Sequence, residues 1–167
     1  MFSCYIHSMN IKIIAVGKIK ESYIKEAIEE YAKRLSTFCS LSLVEIPAQE
    51  IKDESLNEKY KELEAEKILQ NIKPNSPNTY VIALEISGKS LSSEDFAAKI
   101  KKISNEGFNE IVFVIGGANG LARSVSDRVD FKLSFSQMTF THQMVRILLY
   151  EQIYRAFKIN NNESYHR

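Results

Sequence analysis

Residues 111–140 read IVFVIGGANGLARSVSDRVDFKLSFSQMTF, a clean apolar run that passes into a glycine cluster, then a polar segment, a second short apolar run and a mixed polar and apolar stretch. An apolar run that ends in glycines reads as a buried strand followed by a loop. The ends of such strands are where α/β sheets place ligands. Working outward, similar runs rich in β-branched and aromatic residues occupy 11–16, 41–46, 79–86, 111–115 and 131–135. Amphipathic stretches fall between them and after the last, so the fold expected is an α/β, mostly parallel sheet with flanking helices.

The first helix carries Ile24, Ala27, Ile28, Tyr31 and Leu35 at helical spacing, with Lys25, Glu26, Glu29, Lys33 and Arg34 opposite. Residues 54–72 are strongly charged, read as a solvated helix face, and run into the turn cluster PNSPN. A third helix opens at Ser92 and Ser93 with Glu94 and Asp95 in its first turn and Phe96, Ile100 and Ile103 as its apolar stripe. The last, 141–159, presents Met144, Val145, Leu148, Leu149, Ile153, Ala156 and Phe157. So wide an apolar face needs either the core or a second subunit.

With 167 residues, 44% hydrophobic, the chain forms one domain. The eight residues MFSCYIHS before Met9 have no signal-peptide pattern and are read as an N-terminal extension, leaving 9–167 as the domain. No apolar run is long enough to span a bilayer. Cys4, Cys39 and the three histidines are too scattered for a disulfide framework or a zinc cluster, so no metal is expected and a reducing cytoplasm suits the chain.

A net charge of +1 excludes indiscriminate coating of nucleic acid. Charge is nonetheless uneven: residues 121–167 hold seven Lys/Arg against four Asp/Glu, whereas 41–70 hold eight acids against four bases. A polyanion would meet the C-terminal third, with Arg123, Arg128, Arg146 and Arg155 as candidate contacts.

The cluster GGANG (Gly116, Gly117, Gly120) fits neither the dinucleotide nor the nucleoside-triphosphate motif. It is either a tight turn or a place where backbone approaches a ligand, in which case Gly116→Val obstructs binding and leaves the fold intact. The run SFSQMTF (134–140) is either a second ligand loop beside it or a strand end with Thr139 or Thr141 capping the last helix. His142, in the first turn of that helix, reads as structural.

The runs VFVIGGANGL (112–121) and LSFSQMTFTHQMVRILLYEQIYRAFKI (133–159), with the terminal Tyr165, His166 and Arg167, resemble the RlmH family of bacterial SPOUT methyltransferases. IKIIAVGKIKESYIKEAIEEYAKRL (11–35) and VIALEISGK (81–89) match it as well. The resemblance implies transfer of a methyl group from S-adenosylmethionine to N3 of a pseudouridine in a 23S rRNA hairpin, within the assembled ribosome, by a homodimer. It also implies a C-terminal trefoil knot, which ordinary topological rules treat as a rare exception.

By motif, the resemblance places cofactor contacts on Leu84, Gly116, Phe135, Ser136, Gln137, Met138, Thr139 and Phe140. It makes Tyr165, His166 and Arg167 the catalytic residues: an aromatic face for the base, an imidazole titrating near pH 7 and a guanidinium for phosphate. Three positions depart from the family pattern. Thr141 and Ser164 stand where proline is common and Asn162 where glycine is common; asparagine tolerates the left-handed backbone such a glycine provides. Two rival readings are a nucleotide-binding reductase that uses GGANG for phosphate and a non-catalytic ribosome-associated RNA-binding protein.

Overall fold

A computed structural model describes residues 9–50, 53–72 and 76–165. Five strands, β1 (Asn10–Val16), β2 (Ser40–Ile46), β3 (Thr79–Ser90), β4 (Glu110–Ile115) and β5 (Phe131–Ser134), form one parallel sheet in the order β2-β1-β4-β3-β5. The helices are α1 (Ser22–Leu35), α2 (Asn57–Asn71), α3 (Ser93–Asn105), the single-turn α4 (Arg123–Ser126) and α5 (His142–Asn160). The expected extension, residues 1–8, lies outside the described residues.

Side chains alternate across a strand, and both faces of this sheet are covered. Ile11, Ile13 and Ala15 of β1 and Ile111, Phe113 and Ile115 of β4 pack under α1, α3 and α5. Ile14, Val16, Val112 and Val114 face the other way, toward Ala65 and Ile68 of α2 and Val125 of α4. That double burial is why the central strands read as unbroken apolar runs. Ile24, Ile28 and Leu35 of α1 and Phe96, Ile100 and Ile103 of α3 are buried as their spacing predicts, and the Ser92 side chain caps α3 by accepting from the Asp95 N–H at 3.0 Å.

β3 runs to Ser90, four residues beyond its apolar stretch, because it pairs with β5 twice. Leu84 and Lys89 both register with Leu133, and residues 85–88 between them bulge out of the ladder. Glycine is required at the base of that bulge: a Cβ on Gly88 would lie 2.7 Å from the Lys132 carbonyl carbon.

Two expectations change and one alternative is decided in part. The apolar face of α5 divides: Leu149, Ile153, Ala156 and Phe157 lie in the core beneath α1 and α3 and present no surface to a second subunit, Val145 and Leu148 are half-buried, and Met144 is exposed. Arg146 sits on the same buried stripe, fully enclosed and bonded inside the protein, and is no surface contact for RNA. The charged helix α2 is not solvated all round, since Glu64 is buried and accepts from the Gln49 N–H at 2.9 Å. Burial pushes its carboxyl above the usual carboxylate range against the pull of that bond and of Lys67.

α5 ends in a turn that the sequence foreshadows. The Glu163 N–H reaches back to the Lys158 carbonyl and the Asn162 N–H to that of Ile159, the paired bonds of a Schellman turn. Asn162 supplies the left-handed residue at φ +56° where the family commonly has glycine.

Candidate active site

The C-terminal ends of β3, β4 and β5 open into a cavity of about 1040 Å³. Its wall combines Leu84 and the β3 bulge, the glycine turn after β4, the loop after β5, the first turn of α5, and Glu21, Tyr23 and Ile24 at the start of α1. Of the residues assigned to the cofactor, Leu84, Gly116, Phe135, Ser136, Met138, Thr139 and Phe140 line it, and Gln137 is exposed and does not. The two loops singled out in the sequence therefore do adjoin. Reading by motif missed the contributions of Glu85, Ile86 and Ser87, although their place at the C-terminal end of an apolar strand was the available signal.

GGANG is both a tight turn and cavity wall. Gly117 and Gly120 form a bridge, the Gly120 N–H donates to the Gly117 carbonyl at 3.0 Å, and Gly120 has φ +77°. A Cβ on Gly116 would sit 2.8 Å from the Gly120 carbonyl carbon. Gly116→Val therefore disturbs the turn itself and does more than obstruct a ligand, contrary to expectation. The loop after β5 braces itself: the Ser136 hydroxyl accepts from the Met138 N–H at 2.9 Å, and the Ser134 hydroxyl donates to the Ser136 carbonyl at 3.1 Å. Thr141, standing where proline is common, caps α5 by accepting from the Met144 N–H at 3.3 Å.

Charge decides what the cavity can hold. Among the described lining residues there is no Lys or Arg, while Glu21 and Glu85 contribute carboxylates. His142 is held below its ordinary pKa of 6.5, first by burial and then by Arg146, and so is neutral at pH 7. Two acceptors, Glu85 Oε1 and Gln143 Oε1, are buried without a hydrogen-bond partner. An acid-lined pocket with unused acceptors suits a ligand that brings hydrogen-bond donors and positive charge. A dinucleotide's diphosphate would find no Lys or Arg among the described lining residues and would meet the carboxylates of Glu21 and Glu85. The fit is to S-adenosylmethionine, which carries a sulfonium and an ammonium against a single carboxylate and offers ribose hydroxyls.

Tyr165 lies elsewhere, against α5 and α1. Its hydroxyl is 3.3 Å from Glu151 Oε1, its ring meets Tyr154 edge-on at 4.9 Å, and the Arg155 guanidinium lies over it at 4.7 Å. Burial first, then Tyr31 and Glu151, push its phenol above the ordinary range. His166 and Arg167 lie outside the described residues. Of the surface arginines expected to meet RNA, Arg123 and Arg128 are exposed, and Arg155 is engaged by Glu151 at 2.9 Å. No helix among the described residues is long and apolar enough to cross a membrane.

The comparisons agree with this geometry. A family model described as "Predicted SPOUT methyltransferase" matches residues 9–166. The chain is 51% identical over 162 residues to the ribosomal RNA large subunit methyltransferase H of Finegoldia magna, covering 95% of this chain and 100% of that one. It is 50% identical over 163 residues to the protein of the same name from Clostridioides difficile, again covering 95% of this chain and 100% of the relative. Among solved structures, a "probable methylase family protein" of Haemophilus influenzae superposes with a TM-score of 0.51 at 17% identity, covering 97% of this chain and 71% of that one, a likeness of fold. With the match spanning the domain from end to end and the cavity suited to the donor these enzymes use, this chain belongs to the SPOUT family of S-adenosylmethionine-dependent methyltransferases.

Proposed function

We propose that this enzyme methylates N3 of a pseudouridine in a hairpin of 23S ribosomal RNA, within the assembled ribosome, and that it works as a homodimer in the cytoplasm. The observation that carries the reading is the acid-lined cavity at Leu84, Gly116 and residues 135–140, in a chain half identical along its length to large-subunit rRNA methyltransferases. The match begins at residue 9, which supports reading 1–8 as an extension. A C-terminal trefoil knot belongs to the same reading.

S-adenosylmethionine supplies an electrophilic methyl group. The chain must hold the nucleoside, place the target nitrogen in line and accept its proton. The glycine turn and the 135–140 loop do the first, and ordering of the reactants contributes up to roughly 7–11 kcal/mol. His166 accepts the N3 proton, directly or through water, and Arg167 holds a phosphate. Tyr165 belongs to the same catalytic tail and anchors it on α5. That anchor, at Glu151, is about 9 Å along the helix from Val145, the last cavity-lining residue of α5. The offset supports a tail that completes the cavity of the partner protomer.

Of the four candidate arginines, Arg123 and Arg128 are the exposed ones and are assigned to RNA, Arg123 exchanging its surface pairing with Asp127 at 3.2 Å for a phosphate. Tyr23, Ile86, Met138, Phe140 and Met144 are exposed apolar side chains that ring the cavity mouth, Met138 at 74% exposure, and such a rim supports cover by a second copy. The test is incubation with labelled S-adenosylmethionine and ribosomes, separate subunits or naked rRNA, followed by mass-spectrometric mapping of the label. Label at N3 of a 23S pseudouridine, fastest on ribosomes, is expected. Equal rates on an isolated hairpin, or no label on RNA, would overturn the reading.

A further inference from the structure

Glu85 is a carboxylate without a task in the fold. It follows Leu84 at the point where β3 leaves its ladder with β5, and the bulge it opens turns into the cavity wall. Its Oε1 is buried and accepts nothing, a costly state for a carboxylate oxygen in a protein interior. In the lining of the same cavity Gln143 Oε1 is also without a donor. An amide can be turned to exchange its oxygen for NH2, but an ionised carboxylate has only acceptors to offer. The other carboxylate in the wall, Glu21, is exposed at the start of α1.

We propose that Glu85 is a binding residue for the methyl donor, accepting a hydrogen bond from its α-ammonium group or from a ribose hydroxyl. This rests on the assignment of the cavity to S-adenosylmethionine. The register brings Glu85 into place: Leu84 pairs with Ile115, so Glu85 emerges from the sheet level with Gly116 at the head of the glycine turn. Neutral His142 and the absence of Lys or Arg leave the Glu85 carboxylate without a cationic partner among the described lining residues. No bond is made or broken by Glu85, which holds the nucleoside in place.

The experiment is calorimetric binding of S-adenosylhomocysteine and of 5′-methylthioadenosine, which keeps the ribose and lacks the ammonium, to wild type, Glu85→Gln and Glu85→Ala. Thermal melts of each protein without ligand accompany it. A hydrogen bond to a charged group sets the scale of loss at roughly 10- to 100-fold in Kd. Loss confined to S-adenosylhomocysteine assigns Glu85 to the ammonium, and loss for both ligands assigns it to the ribose. Because the orphaned carboxylate costs the empty protein stability, Glu85→Gln is expected to melt at or above the wild-type temperature. Unchanged affinity for both ligands overturns the inference, and so does weaker binding accompanied by a lower melting temperature, which would mark a structural residue. Failure of the wild type to bind S-adenosylhomocysteine would bring down the cavity assignment and this inference together.

Discussion

Arg146 of α5 donates from Nη1 to Glu45 Oε1 of β2 at 2.8 Å, joining residues 101 apart in the chain. The same carboxylate oxygen accepts from the Ile19 N–H at 3.1 Å, and Nη2 donates to the carbonyls of Val16 and Gly17. A guanidinium planted at the C-terminal end of β1 thus ties the helix that opens on the cavity to the sheet edge and to the loop before α1.

Arg146→Met is expected to lower stability by about 3 kcal/mol, because it removes the guanidinium from two carbonyls and leaves Glu45 with the Ile19 N–H and no counter-charge. Urea denaturation at neutral pH measures this. A change below 0.5 kcal/mol would show that the arginine is dispensable to the fold and reopen its candidacy as an RNA contact.

His142 makes stability depend on pH in a defined direction. Its folded pKa lies below the ordinary 6.5, so the unfolded chain binds the proton more readily. The stability of the neutral form is therefore fully present above pH 6.5 and is lost as pH falls through the folded value. The difference in stability between wild type and His142→Gln should shrink on acidification from pH 7.5 to 5.5; a constant difference would exclude the effect.

Asn162 holds the turn after α5 with a backbone that β-branched residues adopt only at a cost of roughly 1–2 kcal/mol. Asn162→Val should lower the melting temperature, whereas Asn162→Gly should hold or raise it. If valine were tolerated, the Schellman turn would be absent in solution.

Deleting residues 165–167 should abolish methyl transfer to ribosomes and leave S-adenosylhomocysteine affinity within twofold. His166→Ala should reduce turnover by roughly 10²-fold or more with little change in cofactor affinity. Full turnover by the truncated enzyme would remove the tail from the mechanism.

The central strands β1, β3 and β4 were legible because β-branched residues cluster in runs that two covered faces keep apolar, whereas the edge strands β2 and β5 were marked only by a few leucine, valine, isoleucine and phenylalanine residues among polar ones. The end of β3 was not legible, since its last residues are strand only by virtue of pairing Lys89 with Leu133, a tertiary fact with no local signature. Arg146 was misread even though a signal existed: it stands three residues before Leu149 and seven before Ile153, on the buried stripe of α5. Glu64 was misread in the same way, four residues before Ile68 on α2. Periodicity locates a buried position whatever residue fills it, and the charge drew attention away. Of the candidate site, the two loops were readable by motif, whereas the cavity's polarity required knowing that Glu85 and Gln143 end up lining the same cavity and that no Lys or Arg joins them among the described lining residues.

The glycine turn has an uneven foundation. One face of the sheet is held by three long helices, but the other depends on α2 and the single turn of α4, and α2 buries only Glu64, Ala65 and Ile68. A Cβ on Gly117 would lie 3.5 Å from Glu64 Oε2, and Ser124 beyond the turn bonds Glu62 at 2.7 Å, so the turn rests on that lightly held helix. Amide hydrogen exchange will accordingly start there: α2 opens at a lower free energy than α1, α3 or α5, and the cavity wall at Gly117 loosens with it while the rest of the sheet stays closed.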